Sequence, residues 1–361
     1  MTVKQPKINI TFEELATSFI TRSGRGSAVL IIKDDTNITF TQKIYKDITL
    51  LEADSALYTA ENLQYIKDTM VGLPSQTVVI RVGVADTFLS GLALAEPLKT
   101  GWVGFVSELP ADYDALATWN KQMKAKDYTF MSLEYKSTTP PNSENCHTMV
   151  NDSAVFNDAR GEVTLEKLIP TMLGMCAGCN VETGLTYKVI PNLKSVKEVA
   201  DIDASLLLGN LVLTNDEGVV KVVLGINSLT TISDKQSEDF KYIEVIEINN
   251  LIRDDFRKEF KLWIGSHKNV YNQQILLISA FNTYLEKLAD GDIDILDKNY
   301  VNKVDVDVVA QKKAWVAVNP LAQDWTEAKV RNMAFKRQVF LTGSIKELQS
   351  MTDMDLNMNL V

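Results

Sequence analysis

Histidine and cysteine are scarce, two and three residues respectively in a chain of 361. Two imidazoles leave little scope for proton transfer or metal ligation near neutral pH, which weakens the expectation of an enzyme, although carboxylates could still act. An odd number of thiols in a long chain cannot form a complete disulfide framework, which fits a reducing compartment such as the cytoplasm. Positive charge is also in deficit: 37 basic against 47 acidic side chains give a formal net charge of −10. That balance opposes adhesion to phosphate backbones and anionic lipid, so neither nucleic acid nor membrane is expected as a partner. No apolar run is long enough to cross a bilayer, and the opening MTVKQPKINI has neither the apolar core nor the cleavage site of an export signal. The G-x-S-x-G elbow, the H-E-x-x-H helix and the P-loop lysine are missing too, and no cofactor is expected. What remains is ordinary for a soluble globular protein, 45% hydrophobic and 23% charged, and the length allows two or three domains.

Periodicity organises the chain. Ile8, Ile10 and Phe12 alternate with Lys7, Asn9 and Thr11 as in a half-buried strand, while Thr11 and Glu14 could instead form a capping box opening a short helix. After the glycine-bearing run Arg22 to Gly26, strands are expected over 28–32 and 38–48, a helix over 56–70 and a buried strand over 77–84. From about Leu89 the chain cycles: strand 102–106, a helix opened by Asp112 or Asp114 and running to about Lys126, strand 128–134, strand 148–156, helix 165–177, strand 186–190 and helix 195–207. Such alternation implies βαβ units and a parallel sheet. A hairpin is expected from Asn210–Leu213 and Val219–Leu224 across residues 214–218. Two long amphipathic helices, 238–264 and 270–288, are followed by strands 303–308 and 334–342. The last residues, Asp353 to Leu360, alternate polar and apolar, so the chain ends as it begins.

Three motifs carry weak chemical signals. Cys176-Ala177-Gly178-Cys179 has the spacing of a zinc half-site or redox pair, with Cys146 and His147 nearby in sequence, but it follows an apolar helix and reads better as core or helix end. Asp290, Asp292 and Asp294 imitate a calcium loop, yet Ile295 and Val301 stand where glycine and a bidentate glutamate belong, so a solvated turn is expected. Gly24-Arg25-Gly26 leads into a strand rather than a phosphate-binding helix and reads as a hinge. The basic cluster Lys329, Arg331, Lys336 and Arg337 in an acidic chain is either an ordinary solvated face or a surface for an acidic partner.

A terminal strand with one apolar face must join its own sheet or another chain's. If a strand of about six residues adds to a neighbour's sheet, its backbone bonds, at roughly 0.5–1.5 kcal/mol each, give several kcal/mol per junction. Head-to-tail exchange at both ends does not close, and it predicts a filament with flexible joints at Gly24, Gly26 and Gly343. The alternative, left open at this point, is that both strands fold back onto the parent domain.

Six segments stand in order along the chain: Arg22 to Ile31 (RSGRGSAVLI), Leu185 to Pro191 (LTYKVIP), Gly218 to Thr231 (GVVKVVLGINSLTT), Trp263-Ile264-Gly265, Asn269 to Asn272 (NVYN) and Gln274 to Leu285 (QILLISAFNTYL). In this ordered set the chain resembles the tail sheath proteins of contractile phage tails and phage tail-like bacteriocins. The compact size is similar to sheaths of Gram-positive defective-prophage and diffocin-type particles.

The resemblance implies an α/β and α+β multidomain fold: an arm over 1–20, a β-rich domain over 21–88, a central α/β domain over 89–235 with subtilisin-like but non-catalytic architecture, an α+β domain over 236–344 facing an inner tube, and an arm over 345–361. It further implies stacked six-fold rings contracting from a metastable extended state to drive the tube through a cell envelope. Strand exchange would use Ile8, Ile10 and Phe12 at one end and Met354, Leu356, Met358 and Leu360 at the other. The tube would meet Lys329, Arg331, Lys336 and Arg337. Partners would be other copies of the chain, the tube protein, and baseplate and tail-terminator proteins, with assembly in the bacterial cytoplasm and release on lysis. Two rival readings are a cytosolic α/β hydrolase-like enzyme using a carboxylate pair and a soluble binding module whose terminal strands close its own sheet.

Overall fold

The computed structural model describes residues 26–179, 181, 183–234, 236–290 and 294–358. In chain order the elements are β1 (Ser27–Lys33), β2 (Gln42–Tyr45), α1 (Ile48–Ala53), α2 (Ala60–Val71), β3 (Gln76–Val82), α3 (Phe88–Ala95), β4 (Thr100–Phe105), α4 (Pro110–Ala125), β5 (Thr129–Tyr135), β6 (Cys146–Met149), β7 (Ser153–Phe156), β8 (Glu162–Thr164) and α5 (Ile169–Gly178). They continue as β9 (Leu193–Val196), α6 (Ile202–Leu207), β10 (Asn210–Leu211), β11 (Leu213–Asp216), β12 (Val219–Val222), α7 (Ile243–Trp263), α8 (Tyr271–Ala289), β13 (Lys303–Val306), α9 (Val308–Val316), α10 (Glu327–Asn332) and β14 (Leu341–Ser344). The fold is mixed α/β with several sheets. The described residues form two compact units, 26–254 with 349–358, and 255–348; the division falls inside α7.

The larger unit is built on a seven-stranded sheet of order β10-β6-β5-β4-β1-β3-β2. All neighbours are parallel except β2, which runs antiparallel to β3. β1 lies inside the sheet, between β4 and β3, because Ala28-Val29-Leu30-Ile31-Ile32 is apolar on both faces and can be covered on both. Leu30 is paired with Gly104, and Ile31 with Phe105. A Cβ on Gly104 would meet Ile169 and Leu173 of α5, whereas Ile31 touches Gly91 of α3. Successive strand residues point to opposite faces, so α5 and α3 cover opposite sides. Phe105 stacks between Phe88 of α3 and Tyr113 of α4, at 4.1 and 5.3 Å.

On the α5 side two helices cross at backbone contact. A Cβ on Gly174 would fall 1.8 Å from the Thr69 carbonyl oxygen of α2, and one on Gly178 1.7 Å from that of Gly72. Only glycine allows this approach. Beyond the sheet lie β8-β7-β9 and the hairpin β11-β12, the latter turning through Glu217 and Gly218 at φ 50° and 83°. Two successive positive φ values are the tight hairpin geometry that matches strand twist.

The smaller unit holds the second half of α7, α8, the pair β13-β14, α9 and α10. Phe256 stacks on Phe281 at 4.0 Å, and the Tyr284 hydroxyl donates to Asp255 at 2.6 Å. Trp315 packs against Trp325 and Phe335, and its indole N–H donates to the Met333 carbonyl at 2.7 Å.

Several expectations from the sequence are corrected. A β-rich domain over 21–88 distinct from an α/β domain over 89–235 does not hold, because β1 hydrogen-bonds to β3 on one side and to β4 on the other. The boundary at 235/236 moves to 254/255. Of the arm drawn over 345–361, Lys346 and Leu348 still pair with Asp297 and Ile295. The strand expected over 148–156 is split into β6 and β7 by Asn151, whose buried amide bonds both backbone groups of Leu213 at 2.9 Å. Residues 186–190 run beside β12 but form no strand, since Tyr187 adopts φ 59°. The helix over 195–207 shrinks to α6, which starts where Asp201 caps Ala204 N–H at 2.9 Å. The strand over 38–48 reduces to β2, and α4 opens at Pro110, whose missing N–H is not needed in a first turn. Val308 leaves the strand alternation because Asp307 caps Ala310 N–H at 2.8 Å and starts α9. A tight turn with Lys336 at φ 45° delays the strand expected over 334–342 until Leu341.

Candidate assembly surfaces

The C-terminal segment carries the clearest physical anomaly. It is fastened at its root: Gln349 Nε2 donates to Asp239 at 2.9 Å, and Ser350 donates through N and Oγ to Glu244 at 3.0 and 2.6 Å. From there to Met358 no residue lies in a strand. Met351 is fully exposed, and Met354, Leu356 and Met358 are 84, 67 and 76% exposed. Burying a side chain of this size is worth roughly 1.5–3 kcal/mol. The alternating apolar face of 354–358 therefore stands in water without a sheet to join. Leu360, Ile8, Ile10, Phe12 and Gly24 lie outside the described residues.

The smaller unit contains a sheet that could receive such a strand. β13 and β14 pair antiparallel from Lys303↔Ser344 to Val306↔Leu341. Thr342, Gly343 and Ser344 are exposed. Gly343 lies within this ladder, where a Cβ would come 2.8 Å from the Lys303 carbonyl oxygen. Gly26, at φ 107°, is also closely packed, with a would-be Cβ 2.3 Å from the Ala177 carbonyl oxygen.

The four cations are not equivalent. Arg331 is neutralised inside its own unit, donating to Asp305 at 2.8 Å and to Glu327 at 3.2 Å. Lys329 is exposed on α10, with its ammonium 4.7 Å from the Trp325 ring. Lys336 and Arg337 border a groove of about 570 Å³ with Phe260, Trp263, Ile264 and Leu277. They give it a basic rim over an apolar floor.

One polar cluster escaped the sequence reading. Ser132 and Glu134 on β5 flank Leu133, the residue paired with His147 on β6, and Glu134 and His147 are fully buried. Glu134 accepts from the Ser132 hydroxyl and, at 2.7 Å, from the His147 backbone N–H. His147 Nδ1 donates to the Ser132 carbonyl oxygen at 2.8 Å, leaving Nε2 without a partner among the described residues. Burial pushes the Glu134 carboxyl up to about 8 and the His147 imidazole down to about 4. The serine hydroxyl is bonded to the carboxylate, not to the imidazole, and the cluster is sealed from solvent, so it lacks the nucleophile–base contact that acyl transfer needs. Its sequence signal was the i, i+2 spacing of Ser132 and Glu134 within an otherwise apolar strand.

The cysteines are packing residues. Cys146 and Cys176 are buried and Cys179 is half-buried, and burial raises all three thiols above their ordinary pKa. Of the acidic loop, Asp292 lies outside the described residues, while Asp290 and Asp294 flank it after α8. Among the described residues no cluster of acidic, histidine and cysteine side chains is arranged to hold a metal.

No family model matches the chain. It is 25% identical over 364 residues to the tail sheath protein of Clostridium phage phiCD119, with 98% of each chain covered. Among solved structures it superimposes on the sheath tail protein of Desulfitobacterium hafniense with a TM-score of 0.69 at 14% identity, covering 95% of this chain and 100% of that one. The sheath tail protein of Listeria innocua gives 0.68 at 12% identity, with 91 and 97% covered. The helical sheath of the anti-feeding prophage in its contracted state gives 0.67 at 12% identity, with 99% of each chain covered. The hydrolase reading gains no support from these relatives or from the sealed cluster. The resemblance to tail sheath proteins thus runs through nearly the whole chain, and its fold is that of phage tail and contractile injection sheaths.

Proposed function

We propose that this chain is a structural subunit of a contractile tail sheath. Copies assemble as stacked hexameric rings in a helical array around an inner tail tube. The array contracts from a metastable extended state and drives the tube through a target envelope. The observation that carries this reading is the segment 351–358, with strand-like alternation and exposed apolar side chains, in a chain that also presents an open sheet edge. Met354, Leu356, Met358 and Leu360 enter a neighbouring copy's β13-β14 sheet, and Ile8, Ile10 and Phe12 are exchanged with a neighbouring copy from the other end. Gly24 and Gly26, before β1 in sequence, are the joints, whereas Gly343 lies within the β13-β14 ladder and belongs to the receiving sheet. Lys329, Lys336 and Arg337 offer positive charge to the tube, while Arg331 acts within its own unit. Baseplate and terminator proteins bound the array, which is assembled in the bacterial cytoplasm and released on lysis. Binding free energy in the lattice is the energy store, and the work is done by rigid bodies that change neighbours.

Negative-stain microscopy of the purified protein tests this. Tubes, rings or polysheath are expected, and their loss on removal of residues 354–361 without loss of the folded monomer. Discrete particles at every concentration and ionic strength would contradict the proposal.

A further inference from the structure

The two edges of the β13-β14 sheet differ in a way that determines where a strand can add. Val304 is paired with Gly343, and Val306 with Leu341. Asn282, on α8, meets the backbone of Val304 twice: Asn282 Oδ1 accepts from Val304 N–H at 2.6 Å, and Asn282 Nδ2 donates to the Val304 carbonyl at 3.1 Å. Because both backbone groups of Val304 are engaged by a side chain, the Val304–Gly343 pair is a non-hydrogen-bonded one, whose amides turn away from each other. The next outward donor on β13, Val306 N–H, is taken by Asp305 Oδ1 at 2.7 Å. Arg331 holds that same oxygen at 2.8 Å and keeps the Asp305 carboxyl below its ordinary pKa. By the same alternation the backbone groups of Leu341 and Gly343 point away from β13, and no partner faces them among the described residues.

The geometry points to a one-sided acceptor. Asn282 and Asp305 close the β13 edge, so a strand from a second copy of this chain adds only beside β14. The Asn282 amide offers the acceptor and the donor that a strand residue would offer, so it occupies the edge as a one-residue strand. An unpaired edge invites indiscriminate pairing, and a side chain that fills it blocks that. A sheet with one open edge gives each junction a single register side, which a lattice needs if every subunit is to have the same neighbours. Arg331 belongs to this device through Asp305. This inference rests on the proposed exchange of strands between copies, but the closed edge is a property of the single chain.

Residue-resolved amide hydrogen exchange tests it on the full-length protein. In the unpolymerised chain the Val304 and Val306 amides are expected to exchange at least about tenfold more slowly than those of Leu341 and Gly343, the factor that one retained hydrogen bond supplies. On polymerisation, new protection is expected at Leu341 and Gly343 and none at Val304. Asn282→Ala should raise Val304 exchange roughly tenfold and yield branched or irregular aggregates in place of uniform tubes. Asn282→Asp, which keeps the acceptor, should retain part of the protection. Equal exchange at Val304 and Gly343 in the unpolymerised chain would overturn the inference, as would new protection of Val304 in the polymer. Wild-type protein that never polymerises would remove the sheath reading, whereas the exchange contrast in the monomer would still decide whether the β13 edge is closed.

Discussion

The seven-stranded sheet ends in short strands, two residues in β10 and four in β2, and carries helices on both faces. Among the described residues the β13-β14 sheet is only two strands wide, and Thr342, Gly343 and Ser344 on β14 are exposed. Two strands alone are marginal in water, and a third strand or a helix packed against them is needed for a stable sheet. The large sheet is thus complete within one chain, and its core residues Leu30, Ile31, Val79 and Phe105 are wholly or almost wholly buried. The small one is a two-stranded sheet held on α8 through Asn282 and Val304, and in the proposed assembly a strand from another copy extends it. The same chain carries a segment, 351–358, with strand periodicity and no sheet. In the proposed sheath the first kind of region stays rigid during rearrangement and the second keeps copies joined.

Perturbations of this contrast rank by expected effect. Removing residues 354–361 should abolish polymers seen by microscopy while changing the urea unfolding free energy by less than about 0.5 kcal/mol, as for other exposed surface. A loss of several kcal/mol would instead mean that the segment belongs to the closed scaffold. Gly174→Leu should do the opposite, destabilising the monomer by at least about 3 kcal/mol because its side chain must displace the Thr69 backbone. Soluble, cooperative unfolding near the wild-type midpoint would show that the α2–α5 crossing can open.

The buried cluster supplies a pH test of the scaffold. Glu134 titrates near 8 in the fold against 4.5 ordinarily, so the stability it contributes is fully present below pH 4.5 and is lost as pH rises through 8. His147, at about 4 against 6.5, contributes stability that is present above pH 6.5 and lost as pH falls through 4. Urea midpoints should therefore decline from pH 6 to 9 in the wild type and decline less in Glu134→Gln. Parallel profiles would remove Glu134 from the account. The smallest effect is expected in the basic cluster. Arg331→Ala should cost up to about 1 kcal/mol and Lys329→Ala nothing measurable, since only the arginine is held by two carboxylates. Equal costs would contradict the distinction drawn between them.

How far the sequence could be read depends on the range of the interaction that fixes each element. β1 and β3 were legible because continuous apolar runs demand cover on both faces, and α7 and α8 because their apolar residues recur at helical spacing. The fold class followed from alternation of such segments, and the sheath resemblance from their order. α9 was missed because Val308 and Val309 continue the strand pattern, and only the Asp307 cap turns the chain. The break at Asn151 depends on Leu213, 62 residues away in sequence. The domain boundary near 88 failed for a similar reason, since β1 returns to lie between strands that follow it. At the candidate interfaces, the exposed C-terminal alternation was legible, but the pairing of Arg331 with Asp305 was not. Asn282 is one more polar residue on a helix until β13 is brought beside it.

The central claim is that the end of one copy completes the small sheet of another. Helical reconstruction of the assembled polymer at side-chain resolution tests it directly. The account predicts that Met354 to Leu360 of one subunit runs as a strand hydrogen-bonded to Leu341 and Gly343 of a neighbour, with Asn282 still on Val304. A lattice in which these residues stay solvent-exposed, or fold onto their own subunit, would contradict it.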